Sequence, residues 1–431
     1  MEIKFVSAKE AAKFIRSGDR VYLSSNCAQP QTMTHALCER AQRLQNVRVY
    51  HLLTAGEAPY GMKDMRPHLL HEAFFVASNV RSGCDSGFVD YIPVHLSEIP
   101  RLFLQRIVPV DVAIVGTTMP NENGDVSMGV SVDLTPSAIA KARVIIAEVM
   151  PEMPWTHGAT IIKADQIKAY VKSEHPLIEH QPTGDNELSR AIASHVAPLI
   201  QDGACLQAGI GTIPETILSS LTDRNDLSIH TELMSDGLIH LCRNGNVTNK
   251  YKSFKPGISV GTFMLASRAS FDYVHENTEI EFHPSEIVND PAVIGTNDST
   301  IAINGALQID LTGQIVADSI GKRIYSGFGG QVDFVRGANR SLNGKSIHVI
   351  PSTAKGGTVS RIVPTLTQGA GVVTTRADVR YVATEYGCIN LLGLSIRERA
   401  MCLIELAHPD FRDQLREETE RSLQVPCSTS A

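Results

Sequence analysis

The sequence predicts an α/β protein built from two similar open α/β domains that arose by internal duplication. Three segments in the first part of the chain, each an apolar strand followed by a turn, recur in the same order further on. The offset between partners is about 180 to 190 residues throughout. A stretch rich in Pro, Gly and polar residues lies between the two sets. Strands that alternate with helical segments predict mostly parallel sheets covered by helices.

The first pair of segments shows the shared pattern most fully. SGDRVYLSSNCAQPQTMTHAL and DGACLQAGIGTIPETILSSL both run from a glycine through a short apolar strand and a small-residue turn to an amphipathic helix. Chance similarity between strand–turn–helix units would not produce a common order and spacing, so we favour duplication. The paired ranges are 17–37 with 202–221, 46–56 with 226–237, and 111–129 with 299–318.

The boundary between the domains is predicted in HQPTGDNE at 180–187. Pro, Gly and polar residues cluster there, and NELSRAIASHVAPLI then has the pattern of a new helix. We therefore expect an N-terminal domain over 1–185 and a C-terminal domain over 186–431.

Composition indicates a soluble, cytoplasmic protein. The 431 residues are 43% hydrophobic and 20% charged, with a net charge of -7, which argues against a general nucleic-acid binder. No apolar run is long enough to span a membrane, and the N-terminal segment has no apolar signal core. The eight cysteines are scattered without a CxxC pair, and the histidines show no metal-binding spacing, so we expect reduced thiols and no metal.

Glu232, in HTELMSDG at 230–237, is the first candidate for catalysis. It follows LSI at 227–229, a short segment that looks extended, so it lies where a buried strand would end. A carboxylate there loses hydration energy unless it has a use. Aligning Gly56 with Gly237 puts it opposite His51, so the first copy of the fold lacks the carboxylate. This favours a functional role over the alternative of a capping or ion-paired glutamate.

The turn LQAGIGTIPET at 206–216 could hold an anion. Gly209 and Gly211 let the backbone approach a ligand, and the start of the following helix carries a partial positive charge. The third glycine of a dinucleotide-binding motif is missing. An ordinary tight turn between a strand and a helix remains the alternative.

A second glycine-rich loop, SGFGGQVDF, spans 326–334. Gly329 and Gly330 are adjacent, so two consecutive N–H groups could face one oxygen, as an oxyanion hole requires. A simple β-turn is the alternative.

Positive charge is concentrated between residues 322 and 361. This segment has one acidic residue, Asp333, in a chain that is negative overall, which suggests a phosphorylated ligand rather than only a solvated surface. Thr353 and Lys355 follow the apolar strand SIHVI, at a strand end where open α/β sheets bind ligands. The basic residues are Lys322, Arg323, Arg336, Arg340, Lys345, Lys355 and Arg361.

GISVG at 257–261 matches the G-x-S-x-G motif of serine hydrolases. That motif requires a buried strand before the serine and a helix directly after it. The preceding residues NKYKSFKP are polar and end in proline, so Ser259 is not expected to be a nucleophile.

Together these motifs resemble the class I coenzyme A transferases of the acetyl-CoA hydrolase/transferase family, and within it the 4-hydroxybutyrate and butyrate:acetyl-CoA transferases. The resemblance runs over almost the whole chain. It is carried by GIGTIP (209–214), HTELMSDG (230–237), GGQVDFVRGA (329–338), STAKGGTVSRIVP (352–364), VTTRADVRYVATEYG (373–387) and IRERAMCLIELAHPDFR (396–412).

The resemblance implies an active site between the two domains, with Glu232 as catalytic residue and Gly329 and Gly330 as the glycine loop beside it. It also implies a CoA-binding turn, and Trp155 in MPEMPWTHG stands where relatives usually have a basic residue, so the preference among acids is open. The CoA-binding residues expected at the turn are Gln207, Gly209, Ile210, Gly211, Thr212 and Ile213, joined by Gly330, Thr353 and Lys355 from the glycine loop and the basic segment.

The expected reaction is CoA transfer between a short acyl-CoA and a carboxylic acid in short-chain fatty acid metabolism. Glu232 would attack the thioester and pass through a mixed anhydride to a glutamyl-CoA thioester. A carboxylate that is ionised at pH 7 needs no general base, no metal and no prosthetic group, with CoA serving as co-substrate. A homodimer is expected. An acyl-CoA hydrolase and a CoA-binding protein without catalysis remain alternatives.

Overall fold

The computed structural model describes residues 3–181 and 184–423. Residues 182–183, inside the predicted domain boundary, lie outside the described residues, as do Cys427 and the polar tail VPCSTSA. We call 3–181 the N-terminal half and 184–423 the C-terminal half. The boundary at 185/186 stays a prediction.

The N-terminal half contains ten strands and five α-helices within its described residues. The strands are β1 (Arg20–Leu23), β2 (Val47–His51), β3 (Leu69–Ala73), β4 (Val89–Tyr91), β5 (Val112–Thr117), β6 (Val126–Ser127), β7 (Val144–Val149), β8 (His157–Gly158), β9 (Ile161–Ile162) and β10 (Ala169–Lys172). The helices are α1 (Ala8–Ala12), α2 (Gln31–Arg40), α3 (Ser78–Asp85), α4 (Ile99–Leu104) and α5 (Thr135–Ile139).

The C-terminal half contains longer helices and several short strand pairs. Its strands are β11 (Cys205–Ala208), β12 (Ser228–Ile229), β13 (Leu233–Met234), β14 (Ser259–Gly261), β15 (Phe263–Met264), β16 (Ile280–Phe282), β17 (Thr300–Gly305), β18 (Gln308–Asp310), β19 (Ile315–Val316), β20 (Ser319–Ile320), β21 (Arg323–Ile324), β22 (Lys345–Val349), β23 (Thr353–Ala354), β24 (Val359–Ser360), β25 (Ile362–Val363), β26 (Tyr381–Thr384) and β27 (Gly387–Asn390). Its helices are α6 (Glu187–Val196), α7 (Thr212–Ser219), α8 (Asp236–Arg243), α9 (Arg268–Val274), α10 (Ser285–Val288), α11 (Pro291–Ile294), α12 (Gln331–Arg340), α13 (Ile396–Leu406) and α14 (Pro409–Leu423).

Each half has one main sheet, and the two sheets share a topology. The first sheet has the order β10-β7-β5-β1-β2-β3-β4, and the second has β12-β11-β17-β22-β26-β27. Five strands correspond one to one, because β2-β1-β5-β7-β10 and β12-β11-β17-β22-β26 lie in the same order and pair only in parallel. All three repeated sequence segments fall on equivalent strands, which confirms the predicted duplication of an open α/β fold.

Backbone hydrogen bonds correct the sequence alignment of the two halves by one residue. A bond before the first strand occurs in both, from the Gly18 N–H to Gln45 and from the Gly203 N–H to Asn225, at 2.9 Å each. Counting on from these pairs places Leu52, rather than His51, opposite Glu232. The glycines Gly56 and Gly237 are thus not equivalent, but the conclusion stands, because the N-terminal half has no carboxylate at this place.

The two halves pack through a continuous apolar core. Phe74, Leu96 and Met128 of the N-terminal half belong to the same buried cluster as Leu233 and Phe263. The strand β8 of the N-terminal half lies outside its main sheet and pairs in parallel with β16 of the other half. The two halves share this core, so a site at the strand ends of the C-terminal sheet can have walls from both halves.

The described residues 3–181 and 184–423 give three further findings. None of their helices combines the length and the apolar character needed to cross a bilayer. All seven of their cysteines are unpaired. No cluster of three or more His, Cys, Asp or Glu side chains in this part of the chain is arranged to hold a metal ion.

Candidate active site

Glu232 lies between β12 and β13, just beyond the carboxyl end of β12. Its carbonyl oxygen accepts hydrogen bonds from the N–H groups of Thr262 and Phe263, at 3.0 and 3.2 Å. These two bonds fix the backbone while the side chain stays partly exposed. The carboxylate therefore stands at the edge of the sheet where parallel α/β proteins bind ligands.

Two donors contact the carboxylate directly. The Asn289 Nδ2 donates to Glu232 Oε2 at 2.9 Å, and the Gly330 N–H also donates to this carboxylate. A Cβ built on Gly330 would overlap both Glu232 Oε2 and Asn289 Nδ2. A Cβ on Gly329 would lie 3.7 Å from Glu232 Oε1. The structure thus brings together the carboxylate and both glycines of the predicted loop.

The conformation of the glycine loop explains why these two residues lack side chains. Gly329 has a φ of +51°, which L-residues with a Cβ rarely adopt, whereas Gly330 is excluded from carrying a Cβ by the carboxylate itself. Gly330 is also the N-cap of α12, so the partial positive charge at the start of that helix lies beside Glu232.

The environment of Glu232 disfavours its ionised form. Burial and the charge of Asp333 raise the pKa of Glu232 to about 7, although hydrogen bonds from Asn289 and Gly330 oppose both effects. The ionised carboxylate expected from the sequence is therefore less favoured at neutral pH than that of an exposed glutamate.

The N-terminal half forms the opposite wall of this site. A Cβ on Gly327 would lie 2.9 Å from the Phe75 ring, and a Cβ on Gly329 would lie 3.6 Å from it. The Val76 N–H donates to Ser326 O at 3.2 Å, and the Leu96 N–H donates to Gly329 O at 3.0 Å. The carboxylate and the glycine loop accordingly lie between the two halves.

The predicted CoA-binding turn joins β11 to α7. The Gly209 N–H donates to Ile303 O at 2.8 Å, and Gly211, with a φ of +122°, is the N-cap of α7. Ile210 and Gly211 line a cavity of about 30 Å³ together with Leu233, the residue after Glu232. The turn therefore faces the segment that carries the carboxylate.

The residues that flank this turn have structural contacts. The side-chain amides of Gln207 and Asn304 exchange hydrogen bonds of 3.2 and 3.4 Å between the ends of β11 and β17. The Thr212 carbonyl accepts from the Thr216 hydroxyl at 2.8 Å, within α7. Ile213 packs against the main apolar cluster. These contacts hold the turn in place at the point where the order of the strands reverses.

The basic segment does not form one patch, which corrects the sequence interpretation. Arg323 is paired with Asp85, and Arg336 with Asp378. Arg340 ends α12, a helix about 15 Å long that begins at the glycine loop, so its side chain starts far from Glu232. Helix and strand geometry therefore distribute these charges over separate surfaces.

Lys355 belongs to a cavity of about 390 Å³ at the end of β17. Leu307, Gln308 and Arg361 also line it, and the Arg361 Nε is buried without a hydrogen-bond partner. Thr353 lies in the short strand β23, paired with Ser360. Of the basic segment, Lys355 and Arg361 are the residues that line this cavity.

Comparison with known proteins decides the family. Models of the acetyl-CoA hydrolase/transferase N-terminal domain and C-terminal domain match residues 1–179 and 267–419. The chain belongs to the acetyl-CoA hydrolase/transferase family. It is 41% identical to the 4-hydroxybutyrate coenzyme A transferase of Clostridium kluyveri, over 97% of each protein.

Solved structures of this family have the same fold. RipA from Yersinia pestis has a TM-score of 0.94 at 36% identity, covering 98% of each chain. The 4-hydroxybutyrate CoA-transferase of Porphyromonas gingivalis has a TM-score of 0.83 at 37% identity, covering 97% of each chain. An acetyl-CoA hydrolase of Schizosaccharomyces pombe is more distant, with 27% identity over 79% of this chain.

Three residues of this family member's site were missed by sequence reasoning: Asn289, Asp333 and Phe75. Asn289 follows a helix of four residues and belongs to no motif, so only the fold brings it to Glu232. Asp333 was noted only as the acidic exception in a basic segment. Its place in the first turn after Gly330 was the one signal that could have directed attention to it.

Ser259 is not arranged as a nucleophile. It lies on β14 with 2% of its surface exposed, and its Oγ accepts a 3.0 Å hydrogen bond from Asn249 Nδ2. A buried hydroxyl on a strand, bonded to an amide, lacks the exposed strand-to-helix turn of a hydrolase serine. The structure supports the sequence interpretation.

Trp155 lies away from the carboxylate. Its backbone N–H donates to His275 Nδ1 at 3.0 Å, and its backbone carbonyl accepts from the Glu276 N–H at 2.8 Å. Both partners precede β16, at the edge of the sheet where strands begin, whereas Glu232 follows the end of β12. Trp155 thus has no described contact with the site.

We predict that Gly330→Ala reduces the rate of the family's reaction about 100-fold, because the added Cβ must displace the Glu232 carboxylate or the Asn289 amide. Gly184→Ala is the control, since its Cβ would meet nothing within 4 Å. Steady-state kinetics of both variants check this, and a Gly330→Ala enzyme as fast as Gly184→Ala would refute the role given to the loop.

We also predict that Ser259→Ala retains most of the activity, measured beside a thermal unfolding curve that confirms folding. The hydroxyl removed is buried and bonds only within the core. Loss of activity on the order of 1000-fold in a folded variant, as expected for a nucleophile, would contradict the site at Glu232.

Proposed function

We propose that the protein transfers CoA between acetyl-CoA, or another short acyl-CoA, and a short-chain carboxylic acid such as 4-hydroxybutyrate or butyrate. The observation that carries this proposal is the Glu232 carboxylate, held by Asn289 and Gly330 between the two halves. The names of the similar family members, which include 4-hydroxybutyrate CoA transferases, support the same class of reaction.

The carboxylate acts as the nucleophile. Glu232 attacks the thioester carbonyl, the C–S bond breaks, and CoA thiolate leaves a mixed anhydride between the acyl group and Glu232. The thiolate then attacks the side-chain carbonyl of Glu232, which releases the first acid and forms a glutamyl-CoA thioester. The second acid, as its carboxylate, reverses these steps and regenerates Glu232. No proton is gained or lost overall, and CoA serves as a co-substrate with no prosthetic group.

Gly330 and Asn289 have a second role in this scheme. Each attack on a carbonyl creates an oxyanion, and donors that already point at the Glu232 oxygens can stabilise negative charge when it develops there. The same contacts favour the ionised carboxylate, against the burial that raises its pKa to about 7. The site therefore offers a poorly hydrated nucleophile together with the donors that its reaction needs.

The nucleotide end of CoA is proposed to occupy the Lys355 cavity, with the thiol end near Gly209–Gly211 and Gly329–Gly330. Leu307 and Gln308 line this cavity directly after β17. The Gln331 Nε2, one residue after Gly330, donates to Gly305 O at the end of the same strand at 2.7 Å. This contact links the start of α12, beside Glu232, to the end of β17 next to the cavity, and binding the distant nucleotide can lower the barrier at the thioester.

Hydrolysis of the acyl-CoA is the alternative reaction on the same scaffold. Water would replace the second acid, and the intermediate at Glu232 would be shared. The relative named as a hydrolase is more distant than the transferases, so we favour transfer. An acceptor screen with acetyl-CoA and 4-hydroxybutyrate, butyrate, propionate, succinate or water separates the two. The cytoplasmic location and the homodimer remain predictions.

We predict that incubation with an acyl-CoA, without an acceptor, raises the intact mass by one CoA less one water, on the peptide that contains HTELMSDG. Glu232→Ala should abolish the adduct and the transfer but keep CoA binding. The adduct should form faster as pH rises through about 7, because only ionised Glu232 attacks and its pKa is raised to about 7.

Glu286→Gln is the matched control for this experiment. Glu286 is another half-buried glutamate whose pKa burial raises, and its Oε1 accepts from the Ser137 hydroxyl at 3.2 Å. The Glu286→Gln variant should still form the adduct on Glu232. An adduct on Glu286, or wild-type transfer by Glu232→Ala, would show that the nucleophile is misassigned.

We further predict that Lys355→Glu weakens CoA binding, and weakens it more at low salt, because exposed charges are screened by ions. Arg340→Glu, at the far end of α12, makes the same change of charge outside the cavity and should leave the affinity unchanged. Calorimetric titration with CoA measures both, and equal affinities for the two variants would exclude the cavity as the nucleotide site.

A further inference from the structure

Asp333 is a buried carboxylate whose partners come from the other half of the molecule. It lies in the first turn of α12 with 4% of its surface exposed. Its Oδ1 accepts from the Ser97 hydroxyl at 2.8 Å, and its Oδ2 accepts from the Ser97 N–H at 3.1 Å. An acid in this turn usually interacts with the start of its own helix, so its use here for a contact across the site requires an explanation.

Asn289 connects this carboxylate to Glu232. Its Nδ2 donates to Glu232 Oε2 at 2.9 Å, and the Asn289 side chain also lies near Asp333, where it lowers the pKa of that carboxyl. The Asn289 Oδ1 is buried and has no hydrogen-bond partner. Because an amide has two N–H donors on one atom, two flanking carboxylates can use both of them. The opposite orientation would point the amide oxygen at two acceptors.

We propose that Asp333, held by Ser97, is a positioning residue that orients the Asn289 amide so that its nitrogen donates to Glu232. The inference rests on the proposed function, since it explains how the donor beside the nucleophile is kept in place. Asn289 gives up a partner for its oxygen, which is unfavourable for a buried group, and the interaction of its second N–H with Asp333 offsets that loss.

The segment around Ser97 makes this orientation depend on contact between the halves. The Leu96 N–H donates to Gly329 O at 3.0 Å, and the Leu96 carbonyl accepts from the Ser285 hydroxyl at 3.2 Å. Ser285 starts α10, the helix that leads to Asn289. Residues 96–97 thus touch both the glycine loop and the helix that presents the amide, so separation of the halves would release all of these groups together.

The test is a double-mutant cycle between Asp333 and Asn289. With Asn289 present, Asp333→Asn should slow formation of the Glu232 thioester by about tenfold or more, with little change in the KM for acyl-CoA. In the Asn289→Ala background the same change should slow it less than about threefold, because there is no amide left to orient. Equal effects in both backgrounds would overturn the proposal, since a purely structural role does not depend on Asn289.

Titration of Glu232 gives a readout that does not need turnover. The carboxyl signal is followed by ¹³C NMR and assigned with Glu232→Gln. Loss of the Asp333 charge lowers the pKa of Glu232, whereas loss of the Asn289 donor raises it. Asp333→Asn should therefore lower the midpoint more in Asn289→Ala than with Asn289 present. Asp133, which faces Glu232, and Glu98, which faces Asp333, are unchanged throughout.

If the wild-type enzyme forms no thioester at Glu232, the proposed CoA transfer is refuted. The titration of Glu232 would still test whether Asp333 positions Asn289. Asp378→Asn is the control and should match the wild type, because it removes the partly exposed partner of Arg336, a residue on the same helix as Asp333. If Asp333→Asn does not fold, Ser97 variants replace it in the cycle. Ser97→Thr keeps the hydroxyl and should retain the rate, whereas Ser97→Ala should lose several-fold. Identical wild-type rates for both Ser97 variants would overturn the proposal.

Discussion

The arrangement of this site depends on one constraint: a carboxylate is held largely out of water where two halves of the molecule meet. Partial removal of Glu232 from solvent is unfavourable for its charged form, and burial raises its pKa to about 7. The surrounding chain supplies only a few donors, so the charge is stabilised enough to be present but not enough to make it inert. The glycines beside it, the turn of the loop and the approach of Phe75 are all consequences of fitting other groups around this carboxylate.

A second buried acid makes the local balance of charge unusual. Burial raises the pKa of Asp333 to about 7 as well, although Ser97 donates two hydrogen bonds that oppose this. Two acids that are both reluctant to ionise, with one amide between them, make the ionisation of each depend on the other.

The sequence was most informative where a residue type conflicts with its local structure. Glu232, at the end of an apolar strand, and the adjacent Gly329 and Gly330, before a helix, were predicted as site residues because neither a strand nor a helix requires these residue types. The fold class followed from three repeated segments, which correspond to equivalent strands in both sheets. Asn289 could not be found in this way, since asparagine after a short helix is ordinary and only the tertiary fold brings it to Glu232. The prediction of one cationic patch was wrong because α12 and β22 place residues that are neighbours in sequence on different faces. The one-residue error in aligning Gly56 with Gly237 arose because the loops that precede these glycines differ in length.

The pairing of β8 with β16 has a consequence for how the chain avoids aggregation. A sheet edge with free N–H and C=O groups is a template for strands of other molecules. Here the edge strand β16 is covered by a piece of the N-terminal half, and Gly158 allows the close approach, since a Cβ at that position would overlap the Phe282 backbone. β8 precedes β16 in the chain, so the segment that covers this edge is synthesised before the edge itself. One edge of the β14–β16 pair in the C-terminal half is thus closed by the N-terminal half.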